Sequence, residues 1–203
     1  MKEKSFERKA ELLKAALNEF TVKSYEDASL NTIIKNAGIS KGTFYYHFQD
    51  KQALYLFLLS STFDVKWEFM NSLMKEHTGN FEGKDIFERF KLQAKAGVEF
   101  AAAHPEYFRF GKMFVKEKGN KIYETAKGIL GSSTETLIDD MIKKAVDDGD
   151  FRDSFTRDFI ARVVNYLFMH FDEIFDTDED FELGKMIENL NNYVDFMKFG
   201  MGK

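Results

Sequence analysis

One proline, Pro105, in 203 residues is the feature that most narrows what this chain can fold into. Proline interrupts helices and marks turns, so a chain with one proline and 13 glycines has few points where a helix must stop. Long helices are expected, and a many-turned β-sandwich is not. The hydrophobic pattern agrees. From Ser5 to Val22 the apolar residues Phe6, Ala10, Leu13, Ala16, Leu17 and Phe20 form one stripe of a helix, with Ser5 placed to cap it. Ser29 and Ser40 are placed to cap two short helices, the first stopped by Gly38, and Asp50 a long one reaching about Lys75. Further helical patterns lie near 83–103, 105–116, 120–148, 155–175 and 179–199, which makes the fold class all-α with about nine helices. Turns are expected at Thr78–Gly83, Gly119–Asn120, Asp147–Asp153 and Asp176–Asp180. The cluster Gly128, Gly131, Ser132, Ser133 leaves open a kink in the helix over 120–148.

Composition excludes several classes of protein. Cysteine is absent, which removes disulfides, iron–sulfur clusters, thiolate zinc sites and a cysteine nucleophile. No apolar run approaches the roughly 20 residues of a membrane helix, and Met1–Lys23 mixes charged with apolar residues, unlike a signal peptide. A cytoplasmic protein without membrane contact is expected. His47, His77, His104 and His170 are scattered, with none at i+3 or i+4 from another, so no metal site is expected. The acidic pairs Asp139-Asp140 and Asp147-Asp148 fall in turns or on polar faces without a neighbouring nucleophile, and no phosphate-binding or nucleophile-elbow motif occurs. Neither an enzyme nor a cofactor is expected.

A net charge of −5 is unpromising for a nucleic-acid binder until its distribution is considered. Residues 1–60 carry nine Lys and Arg against seven Asp and Glu, whereas the remainder carries twenty against twenty-seven. Of the 23 phenylalanines, 19 follow residue 50. Two domains are therefore expected, a small polar head over 1–50 and an aromatic-rich body over 51–203, crossed by one helix rather than by a linker.

The head carries the informative motif. Two short helices joined by Ala37-Gly38-Ile39-Ser40 form a helix-turn-helix, in which the second helix enters a DNA major groove. Ser40, Lys41, Gly42 and Thr43 place hydroxyls, an ammonium and backbone N–H groups at that helix's start, where phosphates and base edges are met. Phe44 and Phe48 share a core face, which leaves Tyr45, Tyr46 and His47 to face phosphates, and Lys51 adds a charge in the next helix.

Leu12 to Leu17, Phe20, Tyr25, Ile33 and the dense run Ala37-Gly38-Ile39-Ser40-Lys41-Gly42-Thr43-Phe44-Tyr45-Tyr46-His47-Phe48, followed by Lys51 and Leu54, closely resemble the DNA-binding domain of the TetR/AcrR family. The match covers roughly residues 8–58; beyond it only length and helical layout agree. Ser24 stands where the family usually has glycine, and Leu30-Asn31-Thr32 and Asn36 also depart from its commoner residues. The resemblance implies a regulator, most simply a repressor. It would be a homodimer binding double-stranded DNA at a pseudo-palindromic operator, and a small molecule taken up by the body would release it. It implies Ser29, Ser40, Lys41, Gly42, Thr43, Tyr45, Tyr46, His47 and Lys51 as DNA contacts, with Gly42 and Thr43 nearest base edges.

Phe63, Trp67, Met70, Phe87, Phe90, Phe100, Phe110 and Met113 are interleaved with small residues such as Ala94, Gly97 and Gly111, a composition that suits an apolar pocket for a hydrophobic ligand. The last two helices carry broad apolar stripes, including Leu167 and Leu190, with Tyr166, Met169 and His170 extending the first of them beyond what packing on the body needs, and are expected to form a two-fold dimer seam. Two other readings stay open: a DNA-binding architectural or division-control factor without a ligand, and a helical hydrophobe-binding protein without DNA activity.

Overall fold

The computed structural model describes residues 2–76, 83–130, 133–169, 174 and 183–203. Among these residues the structure has ten helices and no strand beyond one isolated bridge between Phe151 and Gly202. The helices are α1 Lys2–Phe20, α2 Leu30–Asn36, α3 Lys41–His47, α4 Lys51–Glu76, α5 Ile86–Ala103, α6 Pro105–Lys116, α7 Lys121–Leu130, α8 Ser133–Asp148, α9 Arg157–Met169 and α10 Leu183–Met201. The all-α expectation holds. Pro105 opens α6 at a position where its missing N–H costs nothing.

Two expectations need correction. The helix starts at Lys2, so Ser5 lies inside α1 rather than capping it. The stretch over 120–148 is two helices, α7 and α8, because its glycines and serines are weak helix formers bunched in one place. Gly131 and Ser132 lie outside the described residues, as do the Asp176–Asp180 turn and His77 and His170. Gly83, Gly119 and Gly149, at three other expected turns, all have positive φ.

The chain forms two compact units that are not contiguous in sequence. Residues 1–69 and 103–131 make the first, residues 70–102 and 132–203 the second, so the boundary expected after residue 50 falls inside the first unit. The first unit's core joins Leu12, Ala16 and Phe20 of α1 with Ile33, Phe44, Leu54, Tyr55 and Phe110. Helix α6 packs on α1 there, and Tyr55 meets Phe20 and Phe110 edge-on at 4.8 and 5.3 Å.

The second unit packs Phe87 and Phe90 of α5 against Ile142, Ile160, Val164, Val194 and Met197. Its last residues are tied to the α8–α9 turn. Arg152 donates from its backbone to the Met201 carbonyl and from its guanidinium to those of Gly202 and Phe199, at 2.8–2.9 Å. A Cβ at Gly202 would lie 2.6 Å from the Lys198 carbonyl oxygen, so only glycine fits.

Candidate nucleic-acid interface

Helices α2 and α3 are fixed at both ends by local chemistry. Ser29 caps α2, its hydroxyl accepting from the Thr32 amide at 3.3 Å. At the other end Gly38 adopts φ +64°, and the Gly38 and Ile39 amides donate back to the Lys35 and Ile34 carbonyls. That paired closure needs a left-handed residue, which glycine supplies without a Cβ clash. Two residues later Ser40 caps α3, accepting from the Thr43 amide at 3.1 Å and pairing with the Thr43 hydroxyl at 2.9 Å. The turn is thus set by three side chains or their absence.

The orientation of α3 follows from two rings. Phe44 is fully buried and Phe48 nearly so. One face of α3 is therefore inside, and Lys41, Gly42, Tyr45 and Tyr46 are outside, with Tyr45 58% and Tyr46 78% exposed. Thr43 and His47 are half-buried, and His47 meets the Tyr46 ring edge-on at 5.0 Å. Large aromatic side chains left this exposed, beside a hydroxyl, an ammonium and a glycine, make a surface suited to a polyanion with readable edges.

Two members of the expected contact set have other partners. Ser29 is half-buried at the cap of α2, and its amide donates to Glu19 at 3.1 Å. Lys51 turns back on its own fold: its ammonium donates to the carbonyls of Tyr25, Glu26 and Ala28 at 2.7, 3.2 and 3.0 Å, and lies 4.5 Å from the Tyr25 ring centre. An ammonium has three protons, and three carbonyls take them. Lys51 therefore clasps the α1–α2 connection.

Sequence reasoning passed over the residues that complete this clasp. Glu19, buried at the end of α1, accepts from Lys23 at 2.7 Å and from the Ser29 amide, linking α1 to the start of α2. The Lys23 hydrogen bond holds its carboxyl below the ordinary value, against burial, which pushes it up. Lys9 of α1 stands 4.6 Å from the Phe57 ring centre and 6.0 Å from that of Phe48, a cation beside the far end of α3. The Glu19–Lys23 pair has the i, i+4 spacing of a helical ion pair, whereas nothing in the sequence spacing announces the Ser29 amide beside Glu19 or the Phe48 and Phe57 rings beside Lys9.

The residues expected to meet a ligand divide between the units. Phe110 belongs to the first unit's core, where Met113 is half-buried and Phe63 and Trp67 are exposed. In the second unit Phe87 and Phe90 are core, Phe100 is buried and Met70 half-buried. Among the described residues no group of three or more His, Asp or Glu is arranged to hold a metal ion, and no helix is long and apolar enough to cross a membrane.

Comparison with known proteins agrees with this geometry. Residues 12–57 match the model of bacterial regulatory proteins, tetR family. An uncharacterized HTH-type transcriptional regulator of Bacillus subtilis (strain 168), YdgC, is 32% identical over 111 residues, 55% of this chain and 56% of its own. The chain thus spans little more than half the length of that relative. Across the whole fold it is similar to a TetR family transcriptional regulator from Chloroflexus aurantiacus (TM-score 0.70, 23% identity, 99% of this chain and 98% of the other covered). It is also similar to the fatty acid degradation regulator FadR from Bacillus halodurans (TM-score 0.62, 19% identity, 91% and 93% covered).

Proposed function

We propose that this chain, whose residues 12–57 match the model of bacterial regulatory proteins, tetR family, is a DNA-binding transcriptional regulator, a cytoplasmic repressor rather than an enzyme. The observation that carries this reading is the outer face of α3: Lys41, Gly42, Tyr45 and Tyr46 lie exposed on a helix anchored by the buried Phe44 and Phe48. Lys41, Tyr45, Tyr46 and His47 supply phosphate contacts, and Thr43 with the Gly42 backbone reads base edges. Ser29 and Lys51 support this surface from behind through the bonds described above. The test is selection of bound duplexes from a random-sequence pool, followed by titration across salt. An inverted repeat with a steep salt slope is expected. Failure of the folded protein to retain any duplex at low salt overturns the reading.

The reading extends to a homodimer and a hydrophobic effector. Phe159 and Tyr166 of α9 and Phe196 and Phe199 of α10 are exposed aromatic side chains, which suits a self-complementary seam. The effector is apolar or amphipathic, in keeping with the aromatic and methionine content of α4 to α6 and with a fold shared by a regulator of fatty acid degradation. Trp67 is the only tryptophan and is exposed, so its emission changes if a ligand covers it or shifts α4. A saturable change with medium- or long-chain acyl compounds is expected, and a flat response across acyl, steroid and aromatic probes counts against ligand control.

A further inference from the structure

The α1–α2 connection is held from two sides. Lys51 takes its carbonyls, and the amide of Tyr25 is taken by a residue 92 positions away, Glu117, whose Oε1 accepts from it at 2.6 Å. Glu117 ends α6, its own amide donating to the Phe114 and Val115 carbonyls. Its other oxygen accepts from Asn120 Nδ2 at 2.7 Å, and the Asn120 carbonyl in turn accepts from the Tyr123 and Glu124 amides in the first turn of α7. The Glu117 side chain is 3% exposed, yet both of these donors are neutral. A buried carboxylate satisfied by an amide N–H and an asparagine is a costly way to close a helix–helix corner. What the carboxylate adds is a strong, directional acceptor aimed at one peptide group of the head.

We propose that Glu117 is a positioning residue for DNA binding, fixing from the end of α6 the Tyr25 peptide and thereby the angle at which α3 is presented. This rests on the DNA-binding reading above. The route from Tyr25 to α3 is short and stiff. The Ala28 amide bonds to the Ser24 carbonyl, Ser29 caps α2, and the closure at Gly38 joins α2 to α3. The Tyr25 ring is held as well, 5.0 Å from Tyr55 and 6.5 Å from Phe20. With the Glu117 bond lost, the head samples orientations that do not match the duplex, and apparent affinity falls with the fraction that does.

The experiment uses the full chain, duplexes selected by the unmodified protein, and amide hydrogen exchange. Glu117→Ala is expected to weaken binding about tenfold with an unchanged salt slope, and to speed exchange at Tyr25 while leaving the Phe44 and Phe87 amides as they were. Glu117→Gln, which keeps an acceptor oxygen, is expected to restore affinity to within about threefold. Unaltered affinity in Glu117→Ala overturns the proposal while the unmodified protein's binding upholds the DNA-binding reading. Uniformly faster exchange through the first unit, in both variants, overturns it in favour of a purely structural role. If the unmodified protein selects no duplex, the reading beneath it falls too.

Discussion

The Lys51 ammonium stands 2.7 Å from the Tyr25 carbonyl oxygen and 4.5 Å from the centre of the same residue's ring, held by one neighbour twice. With the Glu26 and Ala28 carbonyls also bound, this lysine works as a strut for the nine-residue connection, taking three of its carbonyls while Ser24, Glu19 and Glu117 hold its amides. Lys51→Met should therefore act on stability first. A loss of about 2 kcal/mol is expected from removing charge-assisted bonds to backbone carbonyls, read as a lower unfolding midpoint in denaturant. The slope of log affinity against log salt should not change. A slope flattened by about one unit would instead place the ammonium on a phosphate.

Lys41 is the contrasting case. It is exposed on the first turn of α3 and takes no part in the capping bonds of Ser40 and Thr43. Lys41→Ala should leave thermal stability within about 0.5 kcal/mol and flatten the salt slope by roughly 0.9 for each phosphate that the ammonium neutralises. Titration at several salt concentrations, on a selected and on a scrambled duplex, separates this uniform loss from a loss of sequence preference.

The pH dependence of the first unit follows from Glu19. Lys23 donates to this carboxylate and keeps its folded pKa below the ordinary value of 4.5, with the Ser29 amide contributing. A depressed folded value means that the stabilisation is fully present above about pH 4.5 and is lost as pH falls through the folded value. Glu19→Gln should be less stable than the unmodified protein at pH 7, with the gap narrowing towards pH 3. Urea unfolding at both pH values checks this. A gap that stays constant would remove the ion pair as its cause.

Much of the head was legible in the sequence because its determinants are local. Ser29, Ser40 and Asp50 each cap the helix that follows by accepting from the amide three residues ahead, and Gly38 closes α2 with a positive φ, all within one turn of chain. The Phe44/Phe48 face needed only the helical period. Lys51 was not legible in the same way: composition marks it as a cation near a DNA-binding motif, but its partners lie 23 to 26 residues earlier. Glu117 lay further still from its partner. Periodicity also cannot tell an inward stripe from an outward one on a helix that is apolar on most faces. On α9 and α10, Leu167 and Leu190 pack against the second unit's own core, while Tyr166, Phe196 and Phe199 remain outside.

That distinction fixes which residues test the dimer. Leu167→Glu or Leu190→Glu buries a charge against the second unit's core and should unfold it, with a cost of several kcal/mol. Tyr166→Glu with Phe196→Glu should leave the helical spectrum intact and abolish self-association. Sedimentation at micromolar concentration is the measurement, and the doubly charged variant should also lose tight binding to an inverted repeat while keeping weak binding to a half-site. A variant that still sediments as a dimer moves the seam elsewhere.

Gly42 separates stability from function most cleanly. It is the second residue of α3, its φ is not among the positive values, and a Cβ built there meets only the Ser40 hydroxyl, at an ordinary 3.6 Å. Alanine therefore fits the free protein, and replacing glycine within a helix removes backbone freedom from the unfolded chain, for a gain of about 0.5 kcal/mol. Yet the added methyl stands on the exposed first turn of α3, where the proposed approach of the backbone to DNA leaves no room for a side chain. Gly42→Ala should raise the unfolding midpoint slightly and lower affinity for the selected duplex at least tenfold, a steric penalty of about 1.4 kcal/mol or more. Gly38→Ala should do the reverse: at φ +64° the strain is in the backbone, with about 1 kcal/mol lost from folding and a smaller effect on the duplex. Paired denaturation and binding curves for the two variants decide the matter. If Gly42→Ala binds as tightly as the unmodified protein, the first turn of α3 does not approach the bases, and the contact surface shifts towards Tyr45, Tyr46 and His47.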